Sequence, residues 1–250
     1  MGNSPLFQDG SPRGMATMSP EMPNAKGYYR WIVSFLKPYF GKNILDIGGG
    51  YGTHLEPILL NHQIRVTSID LSIDSVEYMQ NRFKLFPHFH AMQMDFNLAD
   101  VRTRLISWNF DTIICLNVLE HLEDDLLAVQ NMRELLSKSG GFLLLMVPAH
   151  EWLYGSLDRQ AGHYRRYNRQ ELYRIINQAS FDIVEIRNFN MLGIFPWWVH
   201  THFLKSSLEK TGLNAQIRVF DRYLVPLLQR IETRVKAPVG LSIIAVAKAN

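Results

Sequence analysis

Acidic and amide residues recur at the ends of the apolar segments in the first half of the chain. Asp46 lies inside the first such segment, Asp70 and Asp95 follow the next two, and Asn117 follows a fourth. The carboxyl ends of parallel strands meet at one edge of a sheet, where such folds bind their ligands. An acid after the second strand can accept both hydroxyls of a ribose, and an acid after the third can accept from an adenine amine. The pattern predicts a nucleotide-like ligand.

A glycine-rich turn directly follows Asp46. Residues 43–52 read NILDIGGGYG, a short apolar strand that ends in Gly48, Gly50 and Gly52. Glycine lets the backbone approach a ligand closely, and free N–H groups at the start of the following helix attract anions. A nicotinamide dinucleotide is the less favoured alternative, because its G-x-G-x-x-G spacing is missing and the block 117–121 has no role in that scheme.

The segments between these residues predict the elements that position them. Apolar strands alternate with amphipathic helices, which indicates a doubly wound α/β sheet. The closing strand is expected at the edge of that sheet. Strands are predicted at 44–47, 63–69, 89–94, 110–116, 142–147, 181–189 and 239–248, and helices at 26–39, 72–83, 122–136 and about 168–176.

Length and composition favour one globular domain. The 250 residues are 47% hydrophobic, which suffices for one substantial core at 24–250, and residues 1–23 are predicted to be a disordered tail. No apolar run reaches the ~18 residues of a membrane span or resembles a signal peptide, so a cytoplasmic location is expected. The single Cys115 excludes an internal disulfide, and a formal charge of +3 does not indicate a nucleic-acid partner.

Four motifs define a resemblance to a known family. They are LDIGGGYG at 45–52, Asp70, Asp95-Phe96, and FDTIICLNVLEHL at 110–122. Together they resemble the class I S-adenosylmethionine-dependent methyltransferases, and within these the bacterial small-molecule enzymes with unassigned acceptors. The resemblance implies a Rossmann-like, seven-stranded sheet whose last strand is antiparallel, with a helical cap insertion at about 190–236 between strands six and seven. It also implies S-adenosylmethionine as cofactor and S-adenosylhomocysteine as product.

The resemblance implies a role for each residue at the sheet edge. Asp46 would hold the cofactor's amino group, directly or through water, and Asp70 would bind the ribose. The backbone carbonyl of Asn117 would accept from the ammonium. A sulfonium and an ammonium favour a rim of acids and carbonyls, while the cofactor's carboxylate suits the N–H groups of the turn. The other implied contacts are Gly48, Gly50 and Gly52 to the methionine part, Leu71 on the adenine, and Asp95 and Phe96 around the adenine.

The segment 147–167, which follows the fifth strand, would cross the methyl group of the cofactor. Methyl transfer is an in-line displacement, so the enzyme mainly holds the acceptor close and aligned. A base helps when the acceptor is a hydroxyl, and neutral imidazole is available near pH 7. His150 and His163 are therefore the predicted catalytic residues. The alternative is that each is a hydrogen-bonded structural residue of this segment.

Aromatic and basic side chains in the same region are the predicted substrate contacts. Arg165 and Arg166 could bind a carboxylate or phosphate of the substrate. Alternatively, they pair with Asp158 or Glu171 and fix the loop. The full predicted set is Tyr28, Tyr154, Arg165, Arg166, Tyr167 and Trp197.

The run Glu120, His121, Glu123, Asp124 and Asp125 has the composition of either a metal site or a helix start. Acids at a helix N-terminus are favoured by the helix dipole. We interpret the run as a helix start, and no metal is predicted.

The predicted cap is basic and aromatic. Between Arg187 and Lys236, eight Lys and Arg residues stand against three acids, a net charge of +5. Such a segment suits a membrane surface, a lipid-linked acceptor or a dimer interface. The alternative is a pair of helices packed on the core with a solvated basic face. A monomer or a homodimer is expected.

These features predict methyl transfer from S-adenosylmethionine to a small organic acceptor, at oxygen, in a biosynthetic or secondary-metabolite pathway. The alternatives are a lipid-linked or membrane-associated acceptor, N- or C-methylation, and a non-catalytic cofactor-binding protein. A macromolecular acceptor is disfavoured, because no appended binding module and no Asn/Asp-Pro-Pro-aromatic motif is present.

Overall fold

The computed structural model describes residues 18–19, 21–98, 100–136, 138, 140–203 and 211–249. Its centre is a seven-stranded sheet in the order β3-β2-β1-β4-β5-β7-β6. Strands β1 to β5 are parallel, and β7 is antiparallel to both of its neighbours. The predicted fold class is confirmed. The strands are β1 Asn43–Ile47, β2 Arg65–Asp70, β3 Phe89–Gln93, β4 Thr112–Leu116, β5 Phe142–Pro148, β6 Phe181–Phe189 and β7 Ser242–Ala249.

Helices cover both faces of the sheet. One core cluster joins the sheet to α4, α5 and α7, and a second joins it to α1, α2, α3 and α10. Alternate residues of β5 belong to the two clusters, as expected for a strand that is buried on both faces. The helices are α1 Lys26–Leu36, α2 Glu56–Leu59, α3 Ile73–Arg82, α4 Val101–Leu105, α5 Asp125–Leu136, α6 Ser156–Ala161, α7 Arg169–Gln178, α8 Ile194–Trp198, α9 Thr211–Val219 and α10 Val225–Glu232.

The closing strand does not lie at the sheet edge, which corrects the expectation from the sequence. Strand β7 lies between β5 and β6, and β6 is the edge strand. Burial explains the order, because every residue of β7 except Lys248 is buried, whereas Asp182 and Val184 of β6 are exposed.

Of the predicted tail, residues 1–23, the structure describes 18–19 and 21–23, and residues 1–17 and 20 lie outside the described residues. Its described part is packed on the domain: Ser19 is buried, and Met22 contacts the core cluster of α1 and α3. The folded domain therefore includes residues before the predicted boundary at 24.

Helices α8 to α10 form the cap between β6 and β7, and residues 204–210 within it are not described. Two inward-facing acids fix the cap to the domain. Glu232 accepts hydrogen bonds from the backbone N–H groups of Asn190 and Met191, at 3.0 and 2.9 Å. Asp221 accepts from the N–H groups at the start of α1. Among the described helices, none is both long and apolar enough to cross a bilayer.

Candidate active site

A cavity of about 860 Å³ lies between the carboxyl edge of the sheet and the cap. The glycine-rich turn, the end of β2 and residues 116–122 form one wall, and cap residues form the other. Most of the predicted site residues belong to these walls. Those that line the cavity are Tyr28, Gly48, Gly50, Gly52, Asp70, Leu71, Asp95, Phe96, Asn117, His163, Arg166 and Trp197.

The glycine turn has a backbone conformation that other residues rarely adopt. Gly48, Gly50 and Gly52 have φ angles of 74°, 54° and 63°. A Cβ atom on Gly48 would also lie 2.3 Å from the side chain of Val118. The turn therefore requires glycine both for its backbone angles and for the close approach of the chain that follows β4.

Asp70 connects the turn to the end of β2. Its Oδ2 accepts a hydrogen bond from the N–H of Gly50 at 2.8 Å, and its Oδ1 accepts from the N–H of Ser72 at 2.9 Å. Burial raises the pKa of Asp70, although both N–H groups lower it. Each carboxylate oxygen keeps a further lone pair, and the residue lines the cavity. These acceptors fit the hydroxyls of a ribose.

Asp46 supports the turn and is not part of the cavity wall, so its contact with the cofactor, directly or through water, stays a prediction. The side chain is 1% exposed. Its Oδ1 lies 2.7 Å from Nε2 of His54, and its Oδ2 accepts from the hydroxyl of Ser68 at 2.6 Å. His54 lines the cavity instead. Sequence analysis missed His54, because its position depends on this contact with Asp46.

The carboxylate of Asp158 organises the segment after β5. It is fully buried and accepts hydrogen bonds from His163 Nδ1 at 2.9 Å, Arg166 Nε at 2.8 Å and the N–H of Gly155 at 3.0 Å. Burial alone would raise the pKa of Asp158, but the hydrogen bond from His163 and the charge of Arg166 outweigh it and lower the pKa. A proton on Nδ1 leaves Nε2 of the neutral imidazole as an acceptor.

Glu120 lies beside His163 and has no such partners. Its Oε1 is 3.8 Å from Nε2 of His163, and neither carboxylate oxygen has a hydrogen-bond partner among the described residues. Burial raises the pKa of Glu120 to about 7, against the lowering effect of His163. The residue belongs to the cavity wall, although both carboxylate oxygens are buried.

The interpretation of Glu120 and His121 as the start of a helix is wrong. Helix α5 begins at Asp125, and the two residues belong to a 3₁₀ turn, Leu119–His121. Sequence analysis missed Glu120 as a site residue, because acids before a helix are common and its burial depends on the fold. Burial and the neighbouring His163 lower the pKa of His121 to about 3, so its ring is neutral near pH 7.

Glu120, His121 and His163 together could bind a cation. One ligand atom from each lies within 4.8 Å of the others. Two imidazole nitrogens and a carboxylate oxygen are ligands that Zn²⁺ accepts. The prediction that no metal is bound stays a prediction.

His150 and Tyr154 lie outside the cavity wall. The backbone N–H of His150 donates to the carbonyl of Tyr167 at 2.8 Å, and the ring of His150 stacks on Trp152. The hydroxyl of Tyr154 donates to the carbonyl of His163 at 2.7 Å. These positions correct the catalytic assignment of His150 and the substrate assignment of Tyr154, since both residues support the segment that carries His163.

Arg165 and Tyr167 also serve the loop rather than a ligand, which corrects their predicted contact with substrate. Arg165 pairs with Asp125 at 2.9 Å. Tyr167 is 2% exposed, and its hydroxyl donates to Asp125 at 3.0 Å. The alternative of loop pairing is confirmed for Arg166, whose ion pair with Asp158 is buried. Arg166 nevertheless lines the cavity.

The cap side of the cavity is apolar and aromatic. The guanidinium carbon of Arg166 lies over the ring of Trp197, 4.8 Å from the ring centroid. The indole N–H of Trp197 is buried without a partner among the described residues. Burial raises the pKa of Tyr28 to about 12, so its phenol stays protonated. Further apolar residues of this wall are Phe195, Pro196, Val199, Ile217, Phe220 and Leu224.

The sheet is that of a Rossmann-like fold, and the match to a family model shows a methyltransferase with S-adenosylmethionine as its cofactor. A family model described as a methyltransferase domain matches residues 24–186, and the chain belongs to this family.

The ubiquinone biosynthesis O-methyltransferases of Haemophilus ducreyi and Paracidovorax citrulli are 26% and 28% identical to this chain. The matches cover 65% and 63% of this chain and 74% and 70% of those proteins. A SAM-dependent methyltransferase from Archaeoglobus fulgidus shares the fold, with a TM-score of 0.58 and 18% identity. That match covers 89% of this chain and 94% of the other.

The ribose assignment of Asp70 predicts the behaviour of Asp70→Asn. We expect the affinity for S-adenosylhomocysteine, measured by titration calorimetry, to fall at least about tenfold, since a charged acceptor of two hydroxyls is lost. Asp74→Asn, an exposed change nearby on α3, is the matched control and should bind as the wild type does. Equal affinity for wild type and Asp70→Asn would contradict the assignment.

The buried carboxyl of Glu120 predicts a pH-dependent stability. Its pKa is raised from 4.5 to about 7, so the folded protein retains a proton that the unfolded chain releases. The stability from this proton is fully present below pH 4.5 and is lost as the pH rises through about 7. We expect Glu120→Gln, which cannot ionise, to gain stability over the wild type from about pH 5 to about pH 8 in urea unfolding. If the difference in unfolding free energy between Glu120→Gln and the wild type did not change with pH, this prediction would be wrong.

Proposed function

We propose that this protein transfers the methyl group of S-adenosylmethionine to a hydroxyl of an apolar small molecule in a biosynthetic pathway. The observation that supports the proposal is the pair Asp158–His163: His163 Nδ1 lies 2.9 Å from the Asp158 carboxylate, and His163 lines the same cavity as the glycine turn. The names of the two similar proteins, both O-methyltransferases, support transfer to oxygen.

The cavity favours an acceptor with an apolar body. Its volume of about 860 Å³ lies in the upper part of the usual range for ligand sites, roughly 300–1,000 Å³. The turn and Asp70 account for the polar end, and the aromatic cap residues form the opposite end. His163 contacts Glu120 of the sheet edge and shares Asp158 with Arg166, which lies over Trp197 of the cap, so we propose that the acceptor hydroxyl binds at His163.

Bound S-adenosylmethionine supplies an electrophilic methyl group on its sulfonium. His163 Nε2 accepts the proton of the acceptor hydroxyl, while Asp158 holds the ring and stabilises the imidazolium that forms. Glu120, when ionised, stabilises the same positive charge from 3.8 Å.

Several finer expectations stay predictions. They are the cytoplasmic location, a monomeric or homodimeric state, and a peripheral membrane contact through the cap. A nitrogen or carbon acceptor is the second candidate for the reaction, and a cofactor-binding protein without turnover is the third. A base beside the cofactor's site favours a hydroxyl, because an ordinary amine becomes nucleophilic without a dedicated catalytic base.

The role of His163 predicts the kinetics of His163→Gln. With a panel of alkyl-substituted phenols as acceptors, we expect the rate of S-adenosylhomocysteine formation to fall about 100-fold or more, as is typical when a general base is lost. Affinity for S-adenosylhomocysteine should stay unchanged. The control is His62→Gln, an exposed histidine outside the cavity. A variant with wild-type turnover would exclude His163 as the base.

Chelation tests the prediction that the protein binds no metal. We expect dialysis against EDTA to leave both the turnover and the melting temperature of the wild type unchanged. The contrary result is that EDTA abolishes turnover and that Zn²⁺ or Mg²⁺ restores it in the wild type but not in Glu120→Gln. That result would show that Glu120, His121 and His163 bind a cation.

A further inference from the structure

The outer face of the cap carries a row of exposed apolar side chains at a four-residue spacing. They cover α9, α10 and the turns that join and follow them, and they are 45 to 65% exposed. Single exposed apolar residues are ordinary, but a continuous row of them marks an interaction surface. We call this row the cap stripe; its members are Val219, which also borders the cavity, Tyr223, Leu227, Ile231 and Val235.

Local helix geometry limits how far the cap stripe turns around the helix axis. Four residues turn an α-helix through about 400°, so such a row drifts by about 40° at each step. A π-helical turn at Phe220–Leu224 joins α9 to α10. Because a π turn holds more residues than an α turn, it offsets part of this drift.

Basic residues accompany the cap stripe along its length. Arg218, Arg222, Arg230 and Arg234 each immediately precede a member of the stripe, and all four are exposed. Arg218 pairs with Glu21, whereas Arg222, Arg230 and Arg234 form no ion pair within the described part of the chain.

Both acids of this segment point inward. Asp221 accepts from the backbone of Gly27 and Tyr28, and Glu232 is 1% exposed and accepts from the backbone that follows β6. The surface beside the cap stripe therefore presents positive charge without compensating acids from residues 215–236.

We infer that the cap stripe and its arginines bind the surface of an anionic lipid bilayer. An apolar row flanked by arginines matches the boundary between acyl chains and anionic headgroups. A second copy of the chain fits less well, because two such faces would bring their unpaired arginines together. Nucleic acid leaves the apolar row without a partner.

The same helices connect this surface to the cavity. Ile217, Phe220 and Leu224 line the cavity from the inner side of the cap, and Leu224 is also 37% exposed. A docked cap would therefore let an apolar acceptor pass from the bilayer to the cavity. This route rests on the proposed function, whereas the docking surface does not.

Vesicle flotation of the full chain tests the inference. We expect binding to vesicles of equal phosphatidylglycerol and phosphatidylcholine, with weak binding to pure phosphatidylcholine and release at high salt. Arg222→Gln/Arg230→Gln/Arg234→Gln should lower the partition coefficient about a hundredfold, since each basic residue near an anionic surface contributes roughly a factor of five. Tyr223→Ser/Leu227→Ser should lower it at least about tenfold.

Matched controls separate these effects from loss of fold. Arg65→Gln/Lys84→Gln/Arg174→Gln removes three exposed charges elsewhere, and Leu60→Ser/Leu85→Ser removes two exposed apolar side chains. Both controls should float as the wild type does, and every variant should bind S-adenosylhomocysteine normally.

Absent flotation of the wild type, equal binding to neutral vesicles, or flotation unchanged by both cap variants would overturn the inference. So would a dimer, seen in sedimentation velocity, that Tyr223→Ser/Leu227→Ser abolishes, because a second copy would then cover this face. Flotation without methyl transfer would leave the docking surface standing and contradict only the proposed function. Methyl transfer without flotation would contradict the docking surface and leave the proposed function standing.

Discussion

The burial of carboxylates at the carboxyl edge of the sheet is the constraint on which the rest of this structure depends. A buried charge is stable only where hydrogen-bond donors or cations surround it. Asp46, Asp70 and Asp158 each have at least two such partners. Asp46 contacts His54 and Ser68 of β2, Asp70 contacts the turn and the start of α3, and Asp158 contacts the segment after β5. Neither oxygen of Glu120 has a hydrogen-bond partner among the described residues, and burial raises its pKa to about 7 despite the nearby His163. The site thus combines three carboxylates with hydrogen-bond partners and one buried carboxyl without them.

The sequence predicts the sheet and the cofactor end, because strand periodicity and turn glycines are properties of neighbouring residues. Asp70 and Asn117 accordingly line the cavity. Side-chain directions in the segment 149–167 depend on distant residues, such as Asp125, which accepts from Tyr167. The lack of partners for Glu120 appears only once the fold has excluded water. The order of β6 and β7 likewise depends on burial across the whole sheet.

The cap has two faces with different roles. Its inner face closes the cavity with aromatic side chains, and Asp221 and Glu232 fix that face to the domain. Its outer face is left with arginines and the cap stripe. The inward use of both acids therefore anchors the cap to the domain and leaves a basic exterior at the same time.

The central claim is that one cavity holds the cofactor at the glycine turn and the acceptor hydroxyl at His163. A crystal structure with S-adenosylhomocysteine and a methylated acceptor bound tests it most directly. The account predicts the acceptor oxygen within hydrogen-bond reach of His163 Nε2, roughly 2.6–3.2 Å, and the ribose on Asp70. An acceptor bound away from His163, or a ribose that does not contact Asp70, would contradict it.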